Sequence, residues 1–342
     1  MKKLLCLVMA VCLLLCGCVV IPPQPEKTQY TATFLNLFDT VTTIVGKADS
    51  KESFEATAQQ IHDELLQYHQ LFDIYEEYEG INNLKTVNAA AGQAPVQVDG
   101  RIIALLKDCK EYYNLTGGKV NVAMGSVLKL WHDARSDAFD DPTSASLPDQ
   151  AALKTAALHT NLDALVIDET NSTVQITDPM MQLDVGAIAK GWATQRVAEN
   201  APTGLLISVG GNVCATGPKD DKGTAWVIGV QDPDDSSKYL HTLYVTGGSV
   251  VTSGDYQRYF MVEGNIYHHI IDPATLMPSR YWRSVSVVCP DSGLADALST
   301  ALFLLPLEEG KALLTQCQAE AMWVDESGQR HYSSGFEKMI KT

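Results

Sequence analysis

The sequence predicts a mixed α+β domain, and three observations carry that expectation. Across residues 53–72 the apolar side chains Phe54, Ala58, Ile61, Leu65, Tyr68 and Phe72 recur at alternating steps of four and three, the stripe of an amphipathic helix. Elsewhere β-branched runs of strand length dominate, as in residues 205–209 and 284–289. No internal repeat and no break in composition divides the 342 residues, so helices and strands are expected to share one core.

The chain opens on a segment of another kind. Lys2 and Lys3 precede an apolar run over residues 4–15, followed by Cys16, Gly17 and Cys18, the pattern of a secretory signal. Leu15-Cys16-Gly17-Cys18 is similar to a bacterial lipobox, which would make Cys18 a lipidated first residue. The expected division is a signal at residues 1–17, a proline-bearing tether at 18–29 and the domain at 30–342. The expected location is the extracytoplasmic face of a bacterial cell membrane. With 41 acidic and 25 basic residues the formal charge is −16, a surface that repels nucleic acid and anionic headgroups. Membrane attachment would therefore rest on the lipid at Cys18. The later cysteines, Cys109, Cys214, Cys289 and Cys317, lie far apart without metal-ligand spacing and are expected as free thiols.

Taken in order, residues 31–45 hold two β-branched runs around Phe38-Asp39-Thr40 and predict a strand pair. Asp49 or Ser50 caps the helix of residues 53–72. Residues 75–88 read as a ligand-sized loop, residues 100–115 as a helix closed by Thr116-Gly117-Gly118, and residues 132–148 as a polar surface loop. A short helix over 149–158 and a hairpin of 164–168 with 173–176 follow. At residues 183–199 a helix is expected to begin near Gly186, its free N–H groups offering an anion site with Lys190 within a turn. A strand at 205–209 runs into the turn Gly210-Gly211-Asn212, and strands at 224–230 and 239–245 come next. The rest holds a strand at 284–289, a helix at 308–316 and a closing strand at 319–324.

Polar groups concentrate between residues 252 and 300. Ser253, Gly254 and Asp255 predict a tight turn between two strands. His268 and His269 are adjacent in a predicted strand, residues 266–271, so they point to opposite faces and at most one serves a given site. Asp296 and Thr300 stand four apart in a predicted helix, residues 294–305, which puts a carboxylate and a hydroxyl on one face, one turn apart. Two hard oxygens so placed suit a small cation.

These motifs, in this order, resemble the ApbE family of FAD:protein FMN transferases. The matches are Leu183-Asp184-Val185-Gly186-Ala187-Ile188-Ala189-Lys190-Gly191, Val209-Gly210-Gly211-Asn212, Thr252-Ser253-Gly254-Asp255-Tyr256-Gln257-Arg258-Tyr259-Phe260, His269-Ile270-Ile271-Asp272-Pro273 and Ala295-Asp296-Ala297-Leu298-Ser299-Thr300. Weaker matches at Phe38-Asp39-Thr40 and at residues 116–121 extend the resemblance over nearly the whole domain. It implies a single catalytic domain of the T-fold-like ApbE type. It also implies a reaction in which FAD is cleaved, FMN is attached to a Thr or Ser of an exported flavoprotein, and AMP is released.

By the same resemblance Mg2+ is the cofactor, held by the carbonyl of Ala187, Asp296 and Thr300, and FAD is the substrate. Phe38, Tyr78 (or Tyr75 after a small shift of register), Lys119, Val120, Asn121, Asp184, Lys190 and Ile271 are implied at the flavin nucleotide. His269 is the candidate general base toward the acceptor hydroxyl, since an imidazole titrates near working pH. The chain departs from the family pattern at Asn121, usually Asp, at Leu276, usually Gly in a turn then expected to be shaped differently, and at residues 79–82. Two other readings of the same residues stay open: an FAD pyrophosphatase passing FMN to water, and a lipid-anchored flavin-binding protein without turnover.

Overall fold

The computed structural model describes residues 27–341. The signal segment, Cys18 and the tether up to residue 26 lie outside the described residues. The strands begin with β1 (Thr28–Leu37), β2 (Thr40–Ala48), β3 (Val96–Gln97), β4 (Leu165–Asp168) and β5 (Thr173–Ile176). Next come β6 (Leu205–Val209), β7 (Asn212–Ala215), β8 (Trp226–Gln231), β9 (Tyr239–Val245) and β10 (Gly248–Gly254). The last are β11 (Tyr259–Val262), β12 (Asn265–His268), β13 (Ser284–Cys289), β14 (Glu320–Val324) and β15 (Arg330–Tyr332). The α-helices are α1 (Lys51–Phe72), α2 (Leu84–Ala89), α3 (Gly100–Leu115), α4 (Gly125–Asp140), α5 (Gln150–Ala157), α6 (Ala189–Asn200), α7 (Ser292–Phe303) and α8 (Leu307–Leu314).

Eight strands form one antiparallel sheet in the order β1-β2-β6-β7-β10-β13-β14-β15. Helices α1, α6 and α7 cover one face, and the stripe of α1 predicted from its spacing is buried there, with Ser50 Oγ accepting the Ser53 N–H at the helix start. The β8–β9 hairpin and Phe336 cover part of the other face with Trp226, Ile228, Val230 and Leu243. Ser284 through Val287 of β13 are therefore all buried, which explains why small serines, not charged residues, alternate with its valines.

Five elements differ from the sequence expectation. The span expected as a loop over residues 75–88 ends in α2, capped by Asn83 and held by its buried Leu84 and Val87. Residues 132–140 are the second half of α4, not loop: Val127, Trp131 and Ala138 bury one stripe of that helix, and the polar residues between them lie on its other sides. Strand β10 runs through Ser253 to Gly254, because its ladder with β13 continues to the pair Gly254 and Ser284, so the turn comes later. The strand expected over 266–271 stops at His268. Helix α6 starts at Ala189, and the Gly186 N–H expected to be free for an anion is taken by Asp184 Oδ1 at 2.8 Å. The four later cysteines are free, three of them buried.

Candidate active site

Two tight hairpins build one wall of the site. Phe38-Asp39 joins β1 to β2 with φ of +52° at both residues, and Gly210-Gly211 joins β6 to β7 with φ of +58° and +90°. Because β2 pairs with β6, the two tips lie side by side, and the Gly210 N–H donates to Val41 O at 3.1 Å. A Cβ on Gly210 would sit 2.7 Å from Thr40 Oγ1, so glycine serves both the backbone angle and the close approach. Phe38 has no such exemption, and its left-handed backbone is strain located at the site. These tips, the start of α6, a face of α7 and the base of the β11–β12 hairpin line a cavity of about 840 Å³.

At one end stand Ala187, Lys190, Asp296 and Thr300, all lining the cavity. Asp296 is 4 % exposed, and its Oδ2 accepts the Gly191 N–H at 2.8 Å with Lys190 Nζ at 3.7 Å. Burial raises its carboxyl above the usual carboxylate range, opposed chiefly by the Lys190 charge. Asn212, 3 % exposed, helps hold that charge, yet its Nδ2 has no hydrogen-bond partner of normal geometry among the described residues. Among the described residues no three His, Cys, Asp or Glu side chains converge on a metal position. A carboxylate, a hydroxyl and a carbonyl are nonetheless hard oxygens that suit Mg2+, which keeps much of its shell for water and phosphate.

The adjacent histidines take opposite roles. His268 is buried, its Nε2–H donating to Ser279 O at 2.7 Å and its Nδ1 accepting the Ile270 N–H at 3.2 Å. His269 lines the cavity, and its Nδ1 lies 3.2 Å from Arg258 O. A carbonyl only accepts, so the proton is on Nδ1 and Nε2 keeps a free lone pair. Burial, then the Arg258 charge, push this imidazole down to about 3, so it is neutral at neutral pH.

Phe38, Lys119, Val120, Asn121, Asp184 and Ile271 line the rest of the cavity. Lys119 Nζ pairs with Asp272 Oδ1 at 3.0 Å. Asn121 spends both ends of its amide locally, donating to Thr160 O at 2.9 Å and accepting from Ala123 N–H at 2.9 Å. Burial raises the Asp184 carboxyl, while the Gly186 N–H, His132, Arg258 and Arg135 pull it back.

Tyr78 is not a lining residue; Tyr75 is. Tyr78 lies one layer behind, its hydroxyl donating to Asp73 Oδ2 at 2.8 Å and standing 3.4 Å from His69 Nε2. His69 Nδ1 in turn accepts the Phe38 N–H at 3.3 Å, bracing the strained tip. Leu276 keeps the left-handed backbone that a glycine would take, with φ of +61°, against the expectation of a differently shaped turn. Its carbonyl accepts from Trp131 Nε1 at 3.0 Å and its side chain packs beside that ring's cluster.

Among the lining residues to which the sequence reading gave no role are Arg258, which it quoted only within a matched motif, His132 and Arg135. His132 stacks on Tyr75 with ring centroids 5.2 Å apart, and Arg135 donates to His132 Nδ1 at 3.1 Å. Their three-residue spacing signals a shared helix face, but only once residues 132–140 are recognised as helix.

Comparison with known proteins follows from this geometry. The model of the ApbE family matches residues 28–323. The chain is 39% identical over 251 residues to the FAD:protein FMN transferase of Treponema pallidum, covering 68% of this chain and 67% of that one. It is 34% identical over 267 residues to the FAD:protein FMN transferase of Klebsiella pneumoniae, covering 75% and 80%. The crystal structure of the ApbE protein from Thermotoga maritima superposes with a TM-score of 0.81 at 28% identity, over 92% of this chain and all of that one. The flavin transferase ApbE from Vibrio cholerae, at 22% identity and a TM-score of 0.74, shares the fold over 92% of this chain and all of its own.

Proposed function

The chain belongs to the ApbE family, and from that premise we propose that it is an FAD:protein FMN transferase acting on a Thr or Ser of an exported flavoprotein. The observation that carries this reading is the placement of Asp296, Thr300, Ala187 and Lys190 in one cavity with a neutral His269. Phosphoryl transfer asks a protein mainly for positioning and for charge stabilisation.

In the proposed reaction the acceptor hydroxyl oxygen attacks the phosphorus of the FMN half, and the hydroxyl proton passes to His269 Nε2. The bond from that phosphorus to the bridging oxygen breaks, and the bridging oxygen leaves on AMP. The products are a phosphodiester-linked FMN and AMP. Asp296, Thr300 and the Ala187 carbonyl are the groups that would hold Mg2+, which when bound would neutralise charge on the phosphate oxygens. Lys190 adds a fixed positive charge at that end. Phe38 and Tyr75 offer aromatic surface for the flavin nucleotide, with Tyr78 supporting Phe38 through His69. We further propose that the protein is anchored through a lipid on Cys18 at the extracytoplasmic face; Leu15-Cys16-Gly17-Cys18 supports this, and no helix among the described residues is long and apolar enough to cross a membrane.

The test is mass spectrometry of a purified exported flavoprotein domain incubated with this protein, FAD and Mg2+. A mass gain equal to FMN, lost with EDTA and in Asp296→Ala, is expected. AMP and free FMN without a modified acceptor would replace the reading with hydrolysis.

A further inference from the structure

Two guanidinium groups in the cavity have no part in the reaction as described above. Arg135 comes from α4 and Arg258 from the turn before β11, and both line the cavity that holds His269 and Lys190. Neither forms an ion pair with a carboxylate among the described residues. Arg135 donates to His132 Nδ1 at 3.1 Å, and Arg258 is held by its main-chain carbonyl, which accepts from both the N–H and the Nδ1–H of His269. Elsewhere Arg101 pairs with Asp99 at 2.8 Å, Arg196 with Glu199 at 3.3 Å and Arg283 with Asp255 at 2.7 Å, while Arg280 lies over the Tyr267 ring and Arg330 donates to Leu240 O, both outside this cavity. A smaller cavity of about 360 Å³ includes Arg101, whose charge is thus already neutralised.

The unpaired arrangement is unfavourable by itself. Burial lowers Arg135 from its ordinary value, and the Arg258 charge lowers it further, so the two cations repel. In a chain with 41 acidic and 25 basic residues, carboxylate partners are abundant. Asp184 lines the same cavity and is drawn to both charges without an ion pair to either, so two guanidinium groups against one carboxylate leave a positive charge that suits an external anion. Its place follows from His269: a hydroxyl bound to the free Nε2 puts the attacked phosphorus inside the cavity that both arginines line. Planar guanidinium forks match phosphate oxygens in pairs and stay charged at any working pH.

We infer that Arg135 and Arg258 form a clamp on the non-bridging oxygens of the phosphoryl group that is transferred. Naming that group rests on the transferase reading; the anion site itself does not. The clamp complements Lys190, so charge developing on the phosphoryl oxygens is met by fixed cations that need no reorganisation.

The test compares FMN with riboflavin, which lacks the phosphate, by fluorescence titration in EDTA. The variants are R135A, R258A and the double variant of the whole described chain. Wild type is expected to prefer FMN, and each single substitution to cut that preference about tenfold or more while riboflavin affinity stays within about twofold, as loss of a charged hydrogen bond implies. An unchanged preference overturns the inference. Equal weakening of both flavins also overturns it, assigning the arginines to the ring. The ligand-free double variant should melt no lower than wild type, since a repulsion is removed; a melting point lowered by several degrees would make the pair structural. No step of this test involves transfer, so a protein that holds FMN through these arginines but never modifies an acceptor would keep the clamp and refute the transferase reading.

Discussion

The main-chain N–H of Gly191 donates a 2.8 Å hydrogen bond to Asp296 Oδ2 across 105 positions of sequence. It ties the first turn of α6 to α7, and only glycine allows the approach: a Cβ at residue 191 would lie 2.3 Å from Ser292 O and 2.4 Å from Asp296 Cβ. Gly191→Ala is therefore expected to cost about 1–3 kcal/mol of stability through overpacking and to weaken Mg2+ binding, as thermal melts with and without the metal would show. Wild-type values for both would contradict the geometry.

Asp296 is a buried carboxylate whose ionised form is disfavoured by burial. Asp296→Asn removes the charge and keeps the shape, so the ligand-free variant should melt at or above the wild-type temperature while transfer is lost. Added Mg2+ should raise the wild-type melting temperature and leave the variant unchanged. A variant that still responds to Mg2+ would move the metal elsewhere.

His269 titrates near 3 in the ligand-free protein, below the value near 6.5 of an unfolded chain. Between those values the unfolded state binds a proton that the folded state refuses, so stability falls as pH drops below about 6.5, by up to about 1.4 kcal/mol per unit. His269→Gln should lose this acid sensitivity and lower kcat about 10²–10⁴-fold. The acid limb of kcat/KM should lie well below 6.5, with activity still near its plateau at about pH 5.5. A limb between 6 and 7 would show that His269 is not the free base described.

Tyr75 and Tyr78 separate direct contact from support. Tyr75→Ala removes a cavity wall that stacks on His132, and FAD affinity is expected to fall about 5–150-fold, the range of one aromatic stacking contact. Tyr78→Phe loses only the bond to Asp73 and the contact with His69, so about 1 kcal/mol of stability goes and FAD affinity changes less than for Tyr75→Ala. Titrating both variants with FAD decides between them, and the reverse order would return Tyr78 to the flavin.

Leu276 carries a left-handed backbone under a packed side chain. Leu276→Ala and Leu276→Gly lose the same packing, but only glycine relieves the backbone. Chemical denaturation should find the glycine variant more stable by about 1 kcal/mol. Equal stabilities would mean that the turn relaxes away from the left-handed region.

The sequence by itself determined what short-range periodicity controls. The α1 stripe, the β-branched strands, and the Asp296 and Thr300 pair on one helix face all follow from spacings of two to four residues. The same rules placed His268 and His269 on opposite faces. Only the tertiary structure decided that His269 meets the cavity while His268 closes on Ser279, because that depends on what packs against each face. It also set Gly191 on Asp296, brought Arg135 and Arg258 into one cavity and preferred Tyr75 to Tyr78 as a wall. Those pairings are fixed by the order of strands in the sheet and the helices packed on it, and contacts made across a hundred residues leave no period in the chain.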